Sequence, residues 1–476
     1  MARIVFPYSD FENLGIEYLM SSLEQHGHET ELVFYNSFDT YINKQFQTNN
    51  NQLANKIEAL EPDYVAFSCV TDNYQKQLEL AKTIKNTKIV FGGPHVTSVP
   101  EKVIKEECVD AVIIGEGEIS FNEYINKHKS GQAIPGVIYK HNGRLIGKKG
   151  LSPLPDLNKI PFPKKIFPNH LPETKDEYRI ITSRGCPFNC AYCFNSYLHK
   201  LNGTSHFRQR SVDNVIKELE LAKEKQDPKY VLFVDDCFTA NKEWILNFCK
   251  EYKDKINLPF ACISHVTYLN EDVIVALREA NCWNVQIGIE STDEHLCKNV
   301  LNRHLDLEKA AEVIKLFRKN KIMVQADHLL GVPGDTTKNQ EHAIKFYNEC
   351  RPSLISIFWL TYYPKTAITN YALQKKVISH DDIERLERGF KLSEKSYLIG
   401  GDAQTPEEFY AVAFLLNWLP LIPKWKVNFL LKSKLYKIFK IKNFYLSTAL
   451  PRAIQSLFNK KDFRGRSHLK RFFKLK

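Results

Sequence analysis

Two successive series of short β-branched runs, each run followed by a longer amphipathic stretch, restrict the fold of this chain more than any other feature of its sequence. The first series places runs at 3–6, 31–35, 64–68, 88–91 and 111–114, and the stretch at 14–26 repeats its apolar residues at helical spacing. A helix after each strand carries the chain back to the starting edge of the sheet, so successive strands lie parallel. The second series has runs at 179–183, 230–234, 260–264, 284–289, 323–330 and 354–360, separated by helical patterns such as 212–225 and 307–320. Six such units predict a partial (βα)6 barrel of the TIM type, with its chemistry at the carboxyl ends of the strands.

Between the two series, Pro153, Pro155, Pro161, Pro163, Pro168 and Pro172 mark an extended linker. The expected organisation is an α/β domain over 1–145, a proline-rich linker over 146–175, the partial barrel over 176–375 and a mainly helical region over 376–476 with a basic tail. A chain of 476 residues is too long for one core, which fits this division.

The net charge of +11 is concentrated at one end. Residues 424–476 hold 16 Lys and Arg against a single acid, Asp462, and the rest of the chain carries a small negative excess. Residues 1–6 lead straight into the first strand without the basic, apolar and small-residue succession of a secretory signal, so a cytoplasmic protein is expected. The longest apolar run, 411–423, is broken by Asn417 and Pro420 and falls short of the roughly 20 residues that span a bilayer. In a reducing compartment the eleven cysteines are metal ligands or buried thiols rather than disulfides.

Cys186, Cys190 and Cys193 form a CxxxCxxC pattern in the loop after the run 179–183. Three thiolates can hold three irons of a cubane cluster and leave the fourth iron open to an exogenous ligand, unlike the four-cysteine closure of electron-transfer clusters. A zinc site would need a fourth Cys or His, and only His199 and His206 stand nearby.

This pattern, placed after the first barrel strand, resembles the radical S-adenosylmethionine (SAM) superfamily. The resemblance implies a 4Fe-4S cluster on the three cysteines, SAM chelated to the open iron and Tyr192 packed by the cofactor. It also implies one-electron cleavage of a carbon–sulfur bond that releases a 5'-deoxyadenosyl radical. Asp235 and Asp236, closing the second barrel strand, would then meet the SAM amino group. Gly288, Glu290 and Ser291 would contact its ribose, and Gly331 and Gly334 would let backbone approach its adenine.

The first series resembles the cobalamin-binding members of that superfamily, and the likeness covers about residues 1–375. It is carried by Asn13, Leu14 and Gly15 opening the first helix, and by Ser68 after the third run. Gly92, Gly93, Pro94 and His95 follow the fourth run, and Gly115, Glu116, Gly117 and Glu118 follow the fifth. Small residues at the ends of parallel strands let a flat corrin lie across them, and the implied fold is a Rossmann-like cobalamin-binding domain. Asp10, Glu12 and Gly15 keep the spacing of the cobalamin motif DxHxxG, with Glu in the place of the cobalt-ligating His. A carboxylate is a poorer cobalt ligand than imidazole, so the lower face of cobalamin is expected to lack a His.

The combined resemblance implies methylation of an unactivated carbon in a small-molecule or lipid-like substrate, with electrons from a donor such as flavodoxin or ferredoxin. The cofactor motifs leave open a non-methylating enzyme, either an oxidative cyclase or a rearrangement catalyst. A cobalamin carrier or sensor has no use for the barrel motifs. A tRNA methylthiotransferase would need three more cluster cysteines near the N-terminus, where only Cys69 and Cys108 stand.

In the tail, Trp425, Phe429, Leu430, Leu431, Leu435, Tyr436, Ile438 and Phe439 interleave with Lys426, Lys432, Lys434, Lys437 and Lys440. That pattern suits a helix resting on anionic lipid, which would place the protein at the inner membrane surface, and it equally suits a solvated basic face closing the barrel. Nucleic acid is not an expected partner, because a basic run alone carries no groove-reading motif.

Overall fold

In the computed structural model both series become sheets; it is described for all residues except 10, 36–48, 172–173, 204, 394, 396, 399, 403–404, 460–461, 464 and 467–476. The first sheet comprises β1 (Arg3–Ser9), β2 (Glu29–Tyr35), β3 (Tyr64–Ser68), β4 (Lys88–Gly92), β5 (Ala111–Ile113), β6 (Val137–His141) and β7 (Arg144–Ile146). Its order is β2-β1-β3-β4-β5-β6-β7, parallel through β5 and closed at one edge by the antiparallel β6–β7 pair. The strand order reverses between β1 and β3, where doubly wound sheets open a crevice at their carboxyl ends. Val65, Phe67, Phe91 and Val112 are buried on one face and Ile4, Phe6, Ala66 and Val90 on the other. Burial on both faces is why these strands read as continuous apolar runs.

The second series begins with β8 (Glu177–Ile180), β9 (Ser183–Arg184) and β10 (Arg208–Gln209), followed by β11 (Tyr230–Phe233), β12 (Phe260–Ser264), β13 (Cys282–Glu290), β14 (Met323–Leu330) and β15 (Leu354–Trp359). Six of these form a parallel sheet in the order β15-β14-β13-β12-β11-β8, while β9 and β10 make a short antiparallel ribbon beside it. Val231, Phe233, Cys262, Val285, Ile287, Val324 and Ala326 join the core under the surrounding helices. The alternating positions hold polar groups: Gln286 Nε2 donates to Asp327 Oδ2 at 2.6 Å.

The apolar run at 411–423 lies largely in the helix Glu408–Trp418, whose Phe409, Val412 and Leu416 are buried in the barrel core. Among the described residues no helix is long and apolar enough to cross a membrane.

The proline-rich passage is packed rather than free. Leu157 and Ile160 cluster with Leu14 and Tyr18, and Phe167 and Leu171 join the core of the first domain. Lys165 Nζ pairs with Glu12 Oε1 at 2.6 Å and Glu17 Oε2 at 3.0 Å in a nearly dry setting. The passage therefore straps the opening of the first helix.

Candidate active site

The three cysteines occupy the turn between the β9 strand and the helix Phe194–Asn202. Gly185 opens this turn at φ +78°, and a Cβ there would lie 2.5 Å from the His206 backbone oxygen, so only glycine lets β9 pass β10 so closely. Ala191 N–H donates to Leu301 O at 2.8 Å and Ile368 N–H to Ala191 O at 2.9 Å, which fixes the middle of the turn against the barrel top.

Among the described residues no three His, Cys, Asp or Glu side chains are drawn together as a ready metal-binding group. The donor set nevertheless fits a thiolate-held cluster. The amides of Phe188 and Asn195 donate toward Cys186 and Cys193, and Cys193 stands at the start of a helix. Arg303 Nη1 lies 3.4 Å from Cys190 Sγ. All of these favour anionic sulfur. Burial pushes the Cys186 thiol up to about 11 and that of Cys193 up to about 12, so a metal's positive charge is what would displace their protons.

The sequence expected Asp235 and Asp236 to act together, and the structure separates them. Asp235 is buried, and its Oδ1 accepts from Thr182 N at 3.0 Å, Thr182 Oγ1 at 2.7 Å and Ser183 Oγ at 2.6 Å. It thus fixes the strand that feeds the cysteine turn. Asp236 faces the turn itself: Asn195 Nδ2 donates to its Oδ2 at 2.9 Å, and its charge acts on Cys186 and Cys193.

Gly288, Glu290 and Tyr192 come together at the end of β13, where the pairing with β14 shifts register between Gly288 and Glu290. Glu290 is a non-glycine residue at φ +65°, a strained conformation of the kind found at binding sites. Burial raises its carboxyl, opposed by the Arg303 charge and by Tyr192. Ser291 is buried and its hydroxyl accepts from Asp293 N at 3.1 Å, closing the next turn. Gly331 and Gly334 bracket the turn after β14 at φ +82° and +88°.

On the first sheet, Asn13 caps the helix Leu14–Gln25 by accepting from Ile16 N, with Gly15 in its first turn. Ser68 ends β3 and Gly92 ends β4. A Cβ on Gly93 would lie 2.7 Å from Cys69 O, so this glycine permits backbone packing at the strand end. Glu12 sits in its ion pair with Lys165, with Arg179 Nε at 3.6 Å; Asp10 lies outside the described residues.

Beyond the expected residues, the structure adds Arg184, Arg303 and His265. Arg184, two residues before Cys186, places Nη1 2.6 Å from Glu116 and Nη2 2.6 Å from Glu118, just after β5 and Gly115 and on either side of Gly117. Tyr197, on the helix after Cys193, donates to Ser98 O at 3.4 Å beyond β4. The strand-end loops of the first sheet thereby abut the cysteine turn. His265, at the end of β12, stacks on Phe188 at 3.9 Å, and its Nδ1 accepts from Thr267 N at 3.2 Å.

Comparison with known proteins agrees with this arrangement. Residues 4–125 match the model of the B12 binding domain, and residues 180–347 match that of the Radical SAM superfamily. The chain is 28% identical over 382 residues to the uncharacterized methyltransferase PH0819 of Pyrococcus horikoshii, covering 77% of this chain and 79% of that protein. It is 23% identical over 395 residues to the anaerobic magnesium-protoporphyrin IX monomethyl ester cyclase of Rubrivivax gelatinosus, covering 76% and 68%. Its fold is similar to that of the radical S-adenosylmethionine methyltransferase TsrM of Kitasatospora setae, with a TM-score of 0.66 and 15% identity over 79% of this chain and 76% of the other. With one matched domain holding each strand-end loop system, the chain belongs to the cobalamin-binding radical S-adenosylmethionine enzymes.

Proposed function

We propose that this enzyme cleaves SAM reductively and methylates an unactivated carbon of a small-molecule or lipid-like substrate. The observation that carries the reading is the abutment itself: Arg184, beside the cysteine turn, grips Glu116 and Glu118 at the edge of the cobalamin-binding sheet. When bound, the cluster and SAM supply hydrogen abstraction, and cobalamin supplies a transferable methyl group.

The chain's own residues position these groups. Cys186, Cys190 and Cys193 ligate the cluster, and Asp236 receives the SAM amino group. Glu290 and Gly288 meet the ribose beside Tyr192, and the turn from Gly331 to Gly334 meets the adenine. Asn13, Gly15, Ser68, Gly92, Gly93 and the loop from Gly115 to Gly117 cradle cobalamin at the carboxyl edge of the first sheet. An electron donor of the flavodoxin or ferredoxin class would supply the electron that a cluster held there needs. Methyl-labelled SAM supplied to the reconstituted protein with host extract is expected to yield S-adenosylhomocysteine only when cobalamin is present, together with a labelled product. Cobalamin-dependent turnover without S-adenosylhomocysteine would favour an oxidative cyclase.

Glu12 does not ligate cobalt in this reading, because Lys165 already claims its carboxylate. Glu12→Gln should keep about one cobalamin per chain with unchanged affinity. It should also lose roughly 3 kcal/mol of stability, the lower end for a broken buried pair, since Lys165 retains Glu17. A large loss of cobalamin affinity in this variant would contradict the assignment; uptake is read by equilibrium dialysis and stability by thermal melting.

The tail combines features of the two arrangements that its sequence suits, a helix on anionic lipid and a basic face closing the barrel. Leu431 and Tyr436 are buried in the barrel core, and Glu341 binds both Lys434 and Tyr436. The helix Lys424–Ser433 turns Val427 and Leu431 inward and leaves Trp425 and Phe429 exposed on its opposite side, with Ile438 exposed beyond it. This aromatic face, flanked by Lys426 and Lys432, supports peripheral attachment to anionic lipid on the cytoplasmic side. Trp425→Ser with Phe429→Ser should abolish sedimentation with anionic vesicles at low salt, and high salt should weaken wild-type binding by about 1 kcal/mol per lysine. Equal sedimentation of the double variant would refute the attachment.

A further inference from the structure

Arg303 is the most deeply committed cation at the cysteine turn, and no motif announces it. It follows the segment Leu296–Val300 and reaches back 113 residues to the cluster loop. Nη1 lies 3.4 Å from both Cys190 Sγ and Tyr192 Oη, and Nη2 donates to Gly288 O, while the buried Nε has no partner. Its side chain is buried, yet no ion pair joins it to a carboxylate among the described residues. A buried guanidinium needs compensating negative charge, and Glu290 supplies only a field from beyond contact distance. Cys190 Sγ, 3.4 Å from Nη1, is the contacting atom that ligation of a cluster would make anionic.

Gly288 keeps this arrangement possible. A Cβ at that position would lie 2.8 Å from Arg303 Nη2 and 2.5 Å from Glu290 Oε1. The planar fork thus ties the Cys190 sulfur, the Tyr192 hydroxyl and the β13 carbonyl into one rigid unit.

We infer that Arg303 is a positioning residue that raises the reduction potential of the cluster by donating a charge-assisted N–H···S hydrogen bond to Cys190. The inference rests on the ligand assignment made above. Reduction adds one electron, hence one negative charge, to a cluster already held by three anionic sulfurs. A fixed cation within hydrogen-bond distance of one of those sulfurs stabilises the reduced form more than the oxidised form. The same contact holds the third-cysteine aromatic, Tyr192, against Glu290, so electron uptake and SAM placement share one support.

The test uses the full chain, anaerobically reconstituted, with iron and sulfide content, EPR-monitored redox titration and near-ultraviolet circular dichroism. Arg303→Gln should keep its iron and show about a tenfold lower reduced-to-oxidised ratio at a fixed solution potential, equivalent to about 59 mV for one electron. Arg303→Lys, which keeps charge but not the fork, should fall between Gln and the wild type. Gly288→Ala, which displaces the guanidinium without removing it, should shift the potential in the same direction. Full iron content with an unchanged potential in Arg303→Gln would overturn the inference. So would loss of the cluster from the Gln and Lys variants alike in otherwise folded protein, which would assign Arg303 to loop assembly alone. A wild-type chain that takes up no cluster would instead refute the ligand assignment, an outcome read before any variant is compared.

Discussion

Replacing Cys186, Cys190 and Cys193 together with Ala removes the iron–sulfur charge-transfer absorption of the reconstituted protein and reduces 5'-deoxyadenosine formation to background. Among the described residues no other cysteine lies in this turn: Cys237 follows β11, Cys262 lies within β12 and Cys297 within the segment Leu296–Val300. Cys297 is spent on a hydrogen bond to Ser291 O at 3.2 Å. His206 is a poor replacement, because its Nε2 already lies 3.3 Å from Glu116. The fold should survive, since the turn is anchored through backbone bonds at Ala191 and the glycine crossing at Gly185. Far-ultraviolet circular dichroism should therefore match the wild type while iron content falls to zero. Retention of a full complement of iron by the triple variant would remove the basis for the radical chemistry.

The sheets were legible because parallel strands buried on both faces leave uninterrupted apolar runs, and helices between them repeat every three to four residues. The β6–β7 pair was missed although Asn142 and Gly143, both at positive φ, form a characteristic hairpin turn in its sequence. Adjacent aspartates look alike in a sequence, but along an extended segment successive side chains point to opposite sides, so Asp235 turns into the strand support and Asp236 toward the cysteines. Arg184 and Arg303 were illegible for a different reason. Their partners lie 68 and 113 residues away, and no local pattern encodes a contact made by tertiary packing. The tail's aromatic and basic alternation was visible, whereas its division into core and exposed faces depended on the barrel helices that bury Leu431 and Tyr436.

Arg184→Met is expected to loosen the join between the two cofactor loops and to cost about 3 kcal/mol, the scale for removing one partner from a buried ion pair. Arg184 is 18% exposed, and its partners Glu116 and Glu118 are 13% and 8% exposed, so solvent screens these pairs little. Methionine is unbranched like the arginine stem, but it removes the guanidinium that lies over the Tyr18 ring and leaves Glu118 without its cation. Glu116 would keep Arg208 and His206, which limits the loss. Burial alone would raise the Glu116 carboxyl, but the His206 hydrogen bond and the Arg184 and Arg208 charges hold it down to about 2, below its ordinary 4.5. A depressed carboxyl contributes stability that is complete above the unfolded value and is lost as pH falls toward the folded one. The difference in melting between Arg184→Met and the wild type should therefore be largest near neutral pH and shrink as pH falls from 4.5 toward 2. Because a chain with several domains need not unfold in one step, the quantity to follow is the first thermal transition, which should drop by several degrees. Chemistry should divide in the same variant: 5'-deoxyadenosine formation persists because the cysteines are untouched, while cobalamin-dependent S-adenosylhomocysteine formation declines as the first sheet loses its hold on the cysteine turn. Unchanged melting at neutral pH, or an equal decline of both products, would show that Arg184 does not set the spacing between the two cofactor loops.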